Sequence, residues 1–270
     1  MTPEEFTARY MPQFSEQQKA AVRETEGPVL LLAVPGSGKT TVLVTRLGFM
    51  ALCRGIDPAH ILAVTYTVAA TRELRARFAS RFPELAERTP EFRTINGLSP
   101  KIIEACGRQR GAAFALQENA GELAALVGRI YQALNGEYPT DSTIREVRTA
   151  ITYCKNMMLG ADEIAAQDFG LPRFSELYAR YCAALREARQ MDYDDQMAYA
   201  LAILRKQPEI LAEFQARYPY LCVDESQDTS RVQHAIIELL AKKSGNLFMV
   251  GDEDQSIYGF RAAYPEALLR

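Results

Sequence analysis

The sequence predicts an α/β fold: a parallel sheet with helices between its strands, interrupted once by an inserted helical segment. Three observations predict it. Short apolar runs at 28–34, 61–67, 220–223 and 246–250 have the length and composition of strands, those at 61–67 and 220–223 of buried ones. Segments of helical periodicity follow them, and such alternation is how a parallel sheet is built. Glycine or acidic residues stand at the ends of several of these runs, where sheets of this kind hold their ligands.

The first run, Pro28 to Val34, leads into Ala33-Val34-Pro35-Gly36-Ser37-Gly38-Lys39-Thr40, and Thr41 to Cys53 then reads as a helix. A strand, a glycine-rich turn and a helix N-terminus together form a phosphate site, because unpaired N–H groups converge on an anion. Gly36 and Gly38 can take backbone angles that a side chain forbids. Lys39 is placed to reach the outer phosphates, and the Thr40 hydroxyl to ligate Mg²⁺. Pro35, Gly36, Ser37, Gly38, Lys39, Thr40 and Thr41 are therefore the candidate nucleotide-binding residues. Ala33 occupies the place of the usual first glycine, so an ordinary βα turn is the competing reading of this stretch alone.

Length and composition set the bounds. A chain of 270 residues holds one large α/β domain or two smaller ones. Hydrophobic residues at 48% and charged residues at 24% argue against wholesale disorder. Lys plus Arg number 31 against 34 for Asp plus Glu, a net charge of −3, so any nucleic-acid contact must be local. The five cysteines show no paired spacing and read as buried thiols of a reducing compartment, not as disulfides or a zinc site. No apolar run nears the roughly 20 residues that span a bilayer, and the N-terminus has no signal-peptide pattern. The expected location is cytoplasmic, with no membrane partner.

Taken in order, Ser15 is a candidate N-cap with Gln18 as its capping-box partner, ahead of Ala20, Ala21 and Val22 in helical spacing. The Gln18 amide, with one donor and one acceptor edge, suits an adenine base equally well. Ile61 to Thr67 is a second strand, and a helix follows from Ala69 to about Phe82. Its Arg72, Arg75, Arg77 and Arg81 spread around more than one face, as a solvated surface does more often than a nucleic-acid stripe. Phe92 to Ile95 reads as a third strand, with Asn96-Gly97 turning into a helix near Ser99-Pro100. From about Ala112 to Arg189 helical periodicity takes over (Leu123, Leu126, Ile130, Leu134; Leu177, Tyr181, Leu185), with connections at 136–140 and 160–170 and Met157 and Met158 as core filler. The expected organisation is 1–111 and 191–270 as the two parts of the sheet domain, with 112–190 inserted between them.

The sheet pattern resumes at Tyr220 to Val223, which ends in Asp224-Glu225. A helix follows from Arg231 to Lys242, then a strand from Asn246 to Val250 ending in Gly251-Asp252. A carboxylate at a strand end can hold Mg²⁺ through water, and its neighbour can orient or deprotonate an attacking water. Acidic pairs are also common strand caps, so the inference rests on Gly36 to Thr40 upstream supplying the other half of one Mg·ATP site. Gln255 follows the adjacent strand, where its amide can contact the γ-phosphate. Tyr258, Phe260 and Arg261 come next; they suit stacked bases beside the hydrolysis site, or simple packing under a loop.

These stretches, with Phe14 to Gln18, Thr65-Tyr66-Thr67, Thr94-Ile95-Asn96-Gly97, Lys155-Asn156 and Asp192-Tyr193-Asp194-Asp195, stand in a telling order. Together they make the chain resemble the N-terminal half of a UvrD/Rep/PcrA-type superfamily 1 DNA helicase. Phe14 to Gln18 is similar to that family's Q motif, Ala33 to Thr40 to its P-loop, Val223 to Asp228 to motif II and Val250 to Tyr258 to motif III. The resemblance implies a P-loop NTPase (RecA-like) parallel sheet with an inserted all-helical subdomain. It also implies ATP and Mg²⁺ as cofactors, served by Lys39, Thr40, Asp224, Glu225 and Gln255, with Gln18 on the adenine. Glu225, Lys39 and Gln255 are the implied catalytic set, and Thr40 and Asp224 the metal ligands. Tyr66, Thr94, Asn96, Tyr258, Phe260 and Arg261 fall where the family contacts single-stranded DNA. Val68-Ala69, Asn96, Thr41 and Phe260 depart from the family's usual residues, and these departures bear on DNA contact more than on hydrolysis.

The implied function is the front half of an ATP-dependent 3′→5′ DNA helicase that translocates on single-stranded DNA. Family members continue past the motif III stretch into a second RecA-like domain, which supplies arginines to the γ-phosphate. The expectation is therefore that the 270 residues bind Mg·ATP, hydrolyse it slowly and do not unwind duplex. Two other classes compete: a non-catalytic, nucleotide-gated single-stranded DNA-binding module, and a P-loop enzyme acting on a small molecule.

Overall fold

The computed structural model describes residues 1–34, 36–110 and 114–252. Among them a five-stranded, all-parallel sheet is built from β1 (Val29–Leu32), β2 (Ile61–Thr65), β3 (Glu91–Thr94), β6 (Tyr220–Val223) and β7 (Leu247–Gly251). The strand order is β1-β7-β6-β2-β3. A second, two-residue parallel ladder pairs β4 (Ala115–Leu116) with β5 (Gln190–Met191). The helices are α1 (Pro3–Tyr10), α2 (Glu16–Arg23), α3 (Lys39–Leu52), α4 (Val68–Arg81), α5 (Ile95–Arg110), α6 (Ala120–Asn135), α7 (Asp141–Asn156), α8 (Ala161–Ala166), α9 (Phe174–Glu187), α10 (Tyr193–Lys206), α11 (Pro208–Arg217) and α12 (Arg231–Ala241).

Strand alternation divides the interior. Ile61 and Ala63 of β2 and Cys222 of β6 join one core with α1 to α4, around Phe6, Phe49, Phe78 and Phe82. Leu62, Val64, Leu221 and Val223 join the opposite core with α5, α10, α11 and α12. Successive side chains of a strand point to opposite faces, so a central strand covered on both sides must be apolar at every position. All five residues of β2 are buried accordingly. Leu123, Val127, Ile144, Val147, Ile151, Phe174, Leu177 and Tyr181 belong to a third core, whose buried members come from helices α6 to α9.

Several expectations are corrected. Asn96-Gly97 is not a turn ahead of a helix at Ser99-Pro100; α5 begins at Ile95, directly after β3. The Thr94 hydroxyl accepts the Gly97 N–H at 2.9 Å and so caps the helix, and a Cβ on Gly97 would lie 3.2 Å from that hydroxyl. The 160–170 connection contains α8, whose Gly160 N–H is capped by Glu163 at 2.7 Å. The helical stretch also opens and closes on the β4–β5 ladder, too short for periodicity to reveal. Of the five cysteines, Cys154 and Cys222 are buried while Cys53, Cys106 and Cys182 are half-buried, all as free thiols. Met157 and Met158 are half-buried, and Met158 packs on the α5–α10 core. Arg72, Arg75 and Arg77 are exposed, Arg77 pairing with Glu73, whereas Arg81 donates to the Tyr10 carbonyl. No helix among the described residues is long and apolar enough to cross a membrane.

Candidate nucleotide-binding site

The C-terminal ends of β1, β7 and β6 are neighbours, so the turn after β1 meets the acidic residues that end the other two strands. The Ala33 N–H donates to the Gly251 carbonyl at 3.1 Å, which carries the β1–β7 ladder into the turn. Gly36 and Gly38 have φ values of 75° and 83°, the left-handed region that costs a side-chain-bearing residue about 1 kcal/mol or more. Gly38 is also the N-cap of α3 and has no side chain to cap it, so no side-chain cap occupies the first-turn N–H groups of the helix among the described residues. The Ser37 hydroxyl is buried and has no hydrogen-bond partner among the described residues. Uncapped N–H groups, an orphaned hydroxyl and glycines without a Cβ in the cradle fit a phosphate chain. Pro35 lies outside the described residues.

Lys39, only 8% exposed, sits beneath this turn with its Nζ 3.7 Å from a Glu225 oxygen and 3.6 Å from an Asp252 oxygen. Thr40 Oγ1 lies 3.5 Å from Asp224 Oδ2, across 184 residues of sequence. Burial, reinforced by the Glu225 charge, pushes the Asp224 carboxyl up to about 6. The same two causes raise Asp228 to about 6. Among the described residues no cluster of three or more His, Cys, Asp or Glu side chains could cage a metal. Thr40 with Asp224 is instead the sparse oxygen set that suits Mg²⁺, which keeps several waters and takes substrate phosphates as ligands.

The capping-box reading of Gln18 holds, and the same amide also reaches the phosphate turn. Its Oε1 accepts the Ser15 N–H at 2.9 Å in a full capping box, while its Nε2 donates to the Ser37 carbonyl at 3.0 Å. The amide thus joins the start of α2 to the phosphate turn and keeps a second lone pair and a second N–H. Arg46 secures the other end of α2 by donating to the carbonyls of Ala21, at 2.8 Å, and Glu24.

The UvrD/REP helicase N-terminal domain family matches residues 14–270. The chain belongs to that family. The ATP-dependent DNA helicase PcrA of Leuconostoc citreum is 36% identical over 256 residues, covering 92% of this chain and 34% of the relative. PcrA of Bacillus subtilis (strain 168) is 32% identical over 252 residues, covering 91% of this chain and 33% of the relative. PcrA of Staphylococcus aureus (strain NCTC 8325 / PS 47) is 32% identical over 271 residues, with 93% and 36% covered. The chain spans about a third of the length of the curated relatives it matches.

In this UvrD/REP domain the remaining candidates fall in two groups. Tyr66 and Thr94 stand at the C-terminal ends of the paired strands β2 and β3, on the same sheet edge as the phosphate turn. Tyr66, Thr94 and Asn96 are half-buried, and the Asn96 Oδ1 is buried with no hydrogen-bond partner among the described residues. Gln255, Tyr258, Phe260 and Arg261 lie outside the described residues. Sequence reasoning passed over Asp252, Gln227 and Asp228, which share the pocket of Lys39 and Glu225. Asp252 directly follows the strand that ends at Gly251, a signal that was available, but only the strand order brings it to Lys39; Gln227 had none beyond its place in the motif II stretch.

Proposed function

We propose that this chain is the ATP-binding and hydrolysing part of an ATP-dependent 3′→5′ DNA helicase that translocates on single-stranded DNA. One observation carries the reading. A buried lysine at the start of the P-loop helix lies between two strand-end carboxylates, with Thr40 facing Asp224 beside it. In this reading Gly36 to Thr41 hold the phosphates, Lys39 reaches the outer ones and leaves its carboxylate partners to do so, and Gln18 contacts the adenine. Thr40 and Asp224 hold Mg²⁺, which when bound neutralises charge on the phosphate oxygens. Glu225 orients and deprotonates the attacking water. Gln255 contacts the γ-phosphate, while Tyr66, Thr94, Asn96, Tyr258, Phe260 and Arg261 face single-stranded DNA. Residues 112–190 act as one inserted unit, a division supported by the separate core of α6 to α9.

A second RecA-like domain is the proposed partner, and it brings the arginine that stabilises the transferring phosphoryl group. Such an arginine is worth on the order of 10³ to 10⁵ in rate, so turnover by these residues alone is slow. The test is Mg·ATP binding and single-turnover hydrolysis, with and without single-stranded DNA, in the wild type and in Lys39→Ala and Glu225→Gln. The expected result is binding that Lys39→Ala weakens and slow hydrolysis that Glu225→Gln lowers to a residual rate. Tight binding with no hydrolysis, unchanged by Glu225→Gln, supports a nucleotide-gated DNA-binding module instead.

A further inference from the structure

We infer that Gln227 is a positioning residue for Glu225: its side-chain amide aims the Glu225 carboxylate at Lys39 and ties it to the end of β7. The inference rests on the reading of Glu225 as the residue that activates water. Gln227 is 2% exposed, and both ends of its amide are used. Nε2 donates to Glu225 Oε2 at 2.7 Å, and Oε1 accepts the Asp252 N–H at 3.1 Å. That same Glu225 oxygen lies 3.7 Å from Lys39 Nζ, and Asp252 Oδ2 is 3.6 Å from it. The four residues therefore close a ring: Lys39, Glu225, Gln227, Asp252 and back to Lys39. A backbone N–H can only donate, so the amide oxygen must face Asp252 and the amide nitrogen must face the carboxylate.

The surroundings show why an amide stands here. A buried amide is costly unless hydrogen-bonded, and a residue that only filled space would be apolar. Glu225 has φ 49°, a left-handed conformation that a carboxylate-bearing residue adopts at some cost, held by the Asp228 N–H to Glu225 carbonyl bond of 3.0 Å. The Ser226 hydroxyl donates to the Val250 carbonyl at 3.0 Å, so this turn is fastened to β7 twice. A Cβ on Gly251 would lie 2.5 Å from Ser226 Oγ and 3.1 Å from Gln227 Oε1, so only glycine lets the turn sit so close. A displacement at Asp252 is thereby passed to the Glu225 carboxylate through one amide.

Gln227→Glu keeps an acceptor for the Asp252 N–H and removes the donor to Glu225, whereas Gln227→Ala removes both. Each is measured alone and combined with Glu225→Gln, by affinity for a fluorescent Mg·ATP analogue and by single-turnover hydrolysis. Either single variant should lower the rate about tenfold or more with affinity within about threefold, and Gln227→Ala should cost nothing further beside Glu225→Gln. Additive losses in the double variant, or an affinity loss matching the rate loss, would overturn the inference. An unchanged rate in Glu225→Gln would overturn the hydrolytic reading itself. The contact is then decided without turnover, by hydrogen exchange of the Gln227 side-chain amide. Protection that is lost in Glu225→Ala supports it, and free exchange in the wild type overturns it.

Discussion

The Lys155 ammonium lies 2.7 Å from a carboxylate oxygen of Asp192, buried, across 37 residues of sequence. It also reaches Asp195 at 2.7 Å, while Thr152 and Asn156 donate to Asp194 at 2.8 and 2.7 Å. The last turn of α7 is thereby fastened to the N-terminus of α10, where the helical stretch meets the sheet domain's second core. Burial alone would raise the Asp192 carboxyl, but the Lys155 charge and hydrogen bonds outweigh it and hold it below the usual range. Removing one member of a buried pair leaves its partner charged and unpaired, at a cost of about 3–5 kcal/mol. Lys155→Ala should lower the unfolding free energy by that much, read as a lower urea midpoint at constant m-value; a loss below about 1 kcal/mol would show that the pair is not holding the junction.

Asp224 bears on stability and function in opposite senses. Its carboxyl is raised to about 6, so the folded protein holds a proton that the unfolded chain releases near pH 4. Its contribution to stability is present below pH 4 and is lost as pH rises through 6. Asp224→Asn should therefore stabilise the ligand-free protein at pH 7–8 by about 1–3 kcal/mol while removing the Mg²⁺ dependence of nucleotide binding. Thermal melts at pH 4 and pH 8 check the sign: the gain should be confined to the higher pH.

Gly48 of α3 packs against the ring of Phe82. A Cβ there would lie 2.1 to 2.5 Å from three ring carbons of a fully buried side chain. Alanine ordinarily favours a helix by about 1 kcal/mol over glycine, but here overpacking costs about 1–3 kcal/mol or more. Gly48→Ala should lower the melting temperature, and the double variant Gly48→Ala with Phe82→Leu should lose less than the sum of the two.

The two bonds of the Gln18 amide can be separated. Gln18→Glu keeps the acceptor for the Ser15 N–H and loses the donor to the Ser37 carbonyl; Gln18→Ala loses both. The glutamate variant should keep stability within about 0.5 kcal/mol, since a capping box accepts Glu as well as Gln. Its affinity for Mg·ATP should fall several-fold, measured by titration calorimetry. Wild-type affinity would mean that the amide serves α2 alone.

Much of this was legible in the residues. The runs 61–67 and 220–223 each contain an observed strand and 246–250 covers all but the last residue of another, because a strand covered on both faces has to be apolar throughout. The capping box at Ser15 and Gln18 and the helix after Lys39 were equally local, fixed by groups three residues apart. Asn96-Gly97 misled because its turn chemistry competes with a cap supplied by Thr94, and α5 runs on through Pro100. The short ladder between 115–116 and 190–191 left no trace in either segment, since only pairing across 75 residues makes it a sheet.

By itself the sequence determined the strands of the main sheet and most of the helices that follow them, where the glycines permit a phosphate turn, and which carboxylates end strands. Those are consequences of local backbone sterics and of the period with which side chains reach one face. Only the tertiary structure decided that β7 lies between β1 and β6, and with it that Asp252 and Glu225 flank one lysine and that a single buried amide bridges them. Strand order is set by how two apolar cores close over opposite faces of the sheet. That balance is summed over the whole chain, so no stretch of it carries the answer alone.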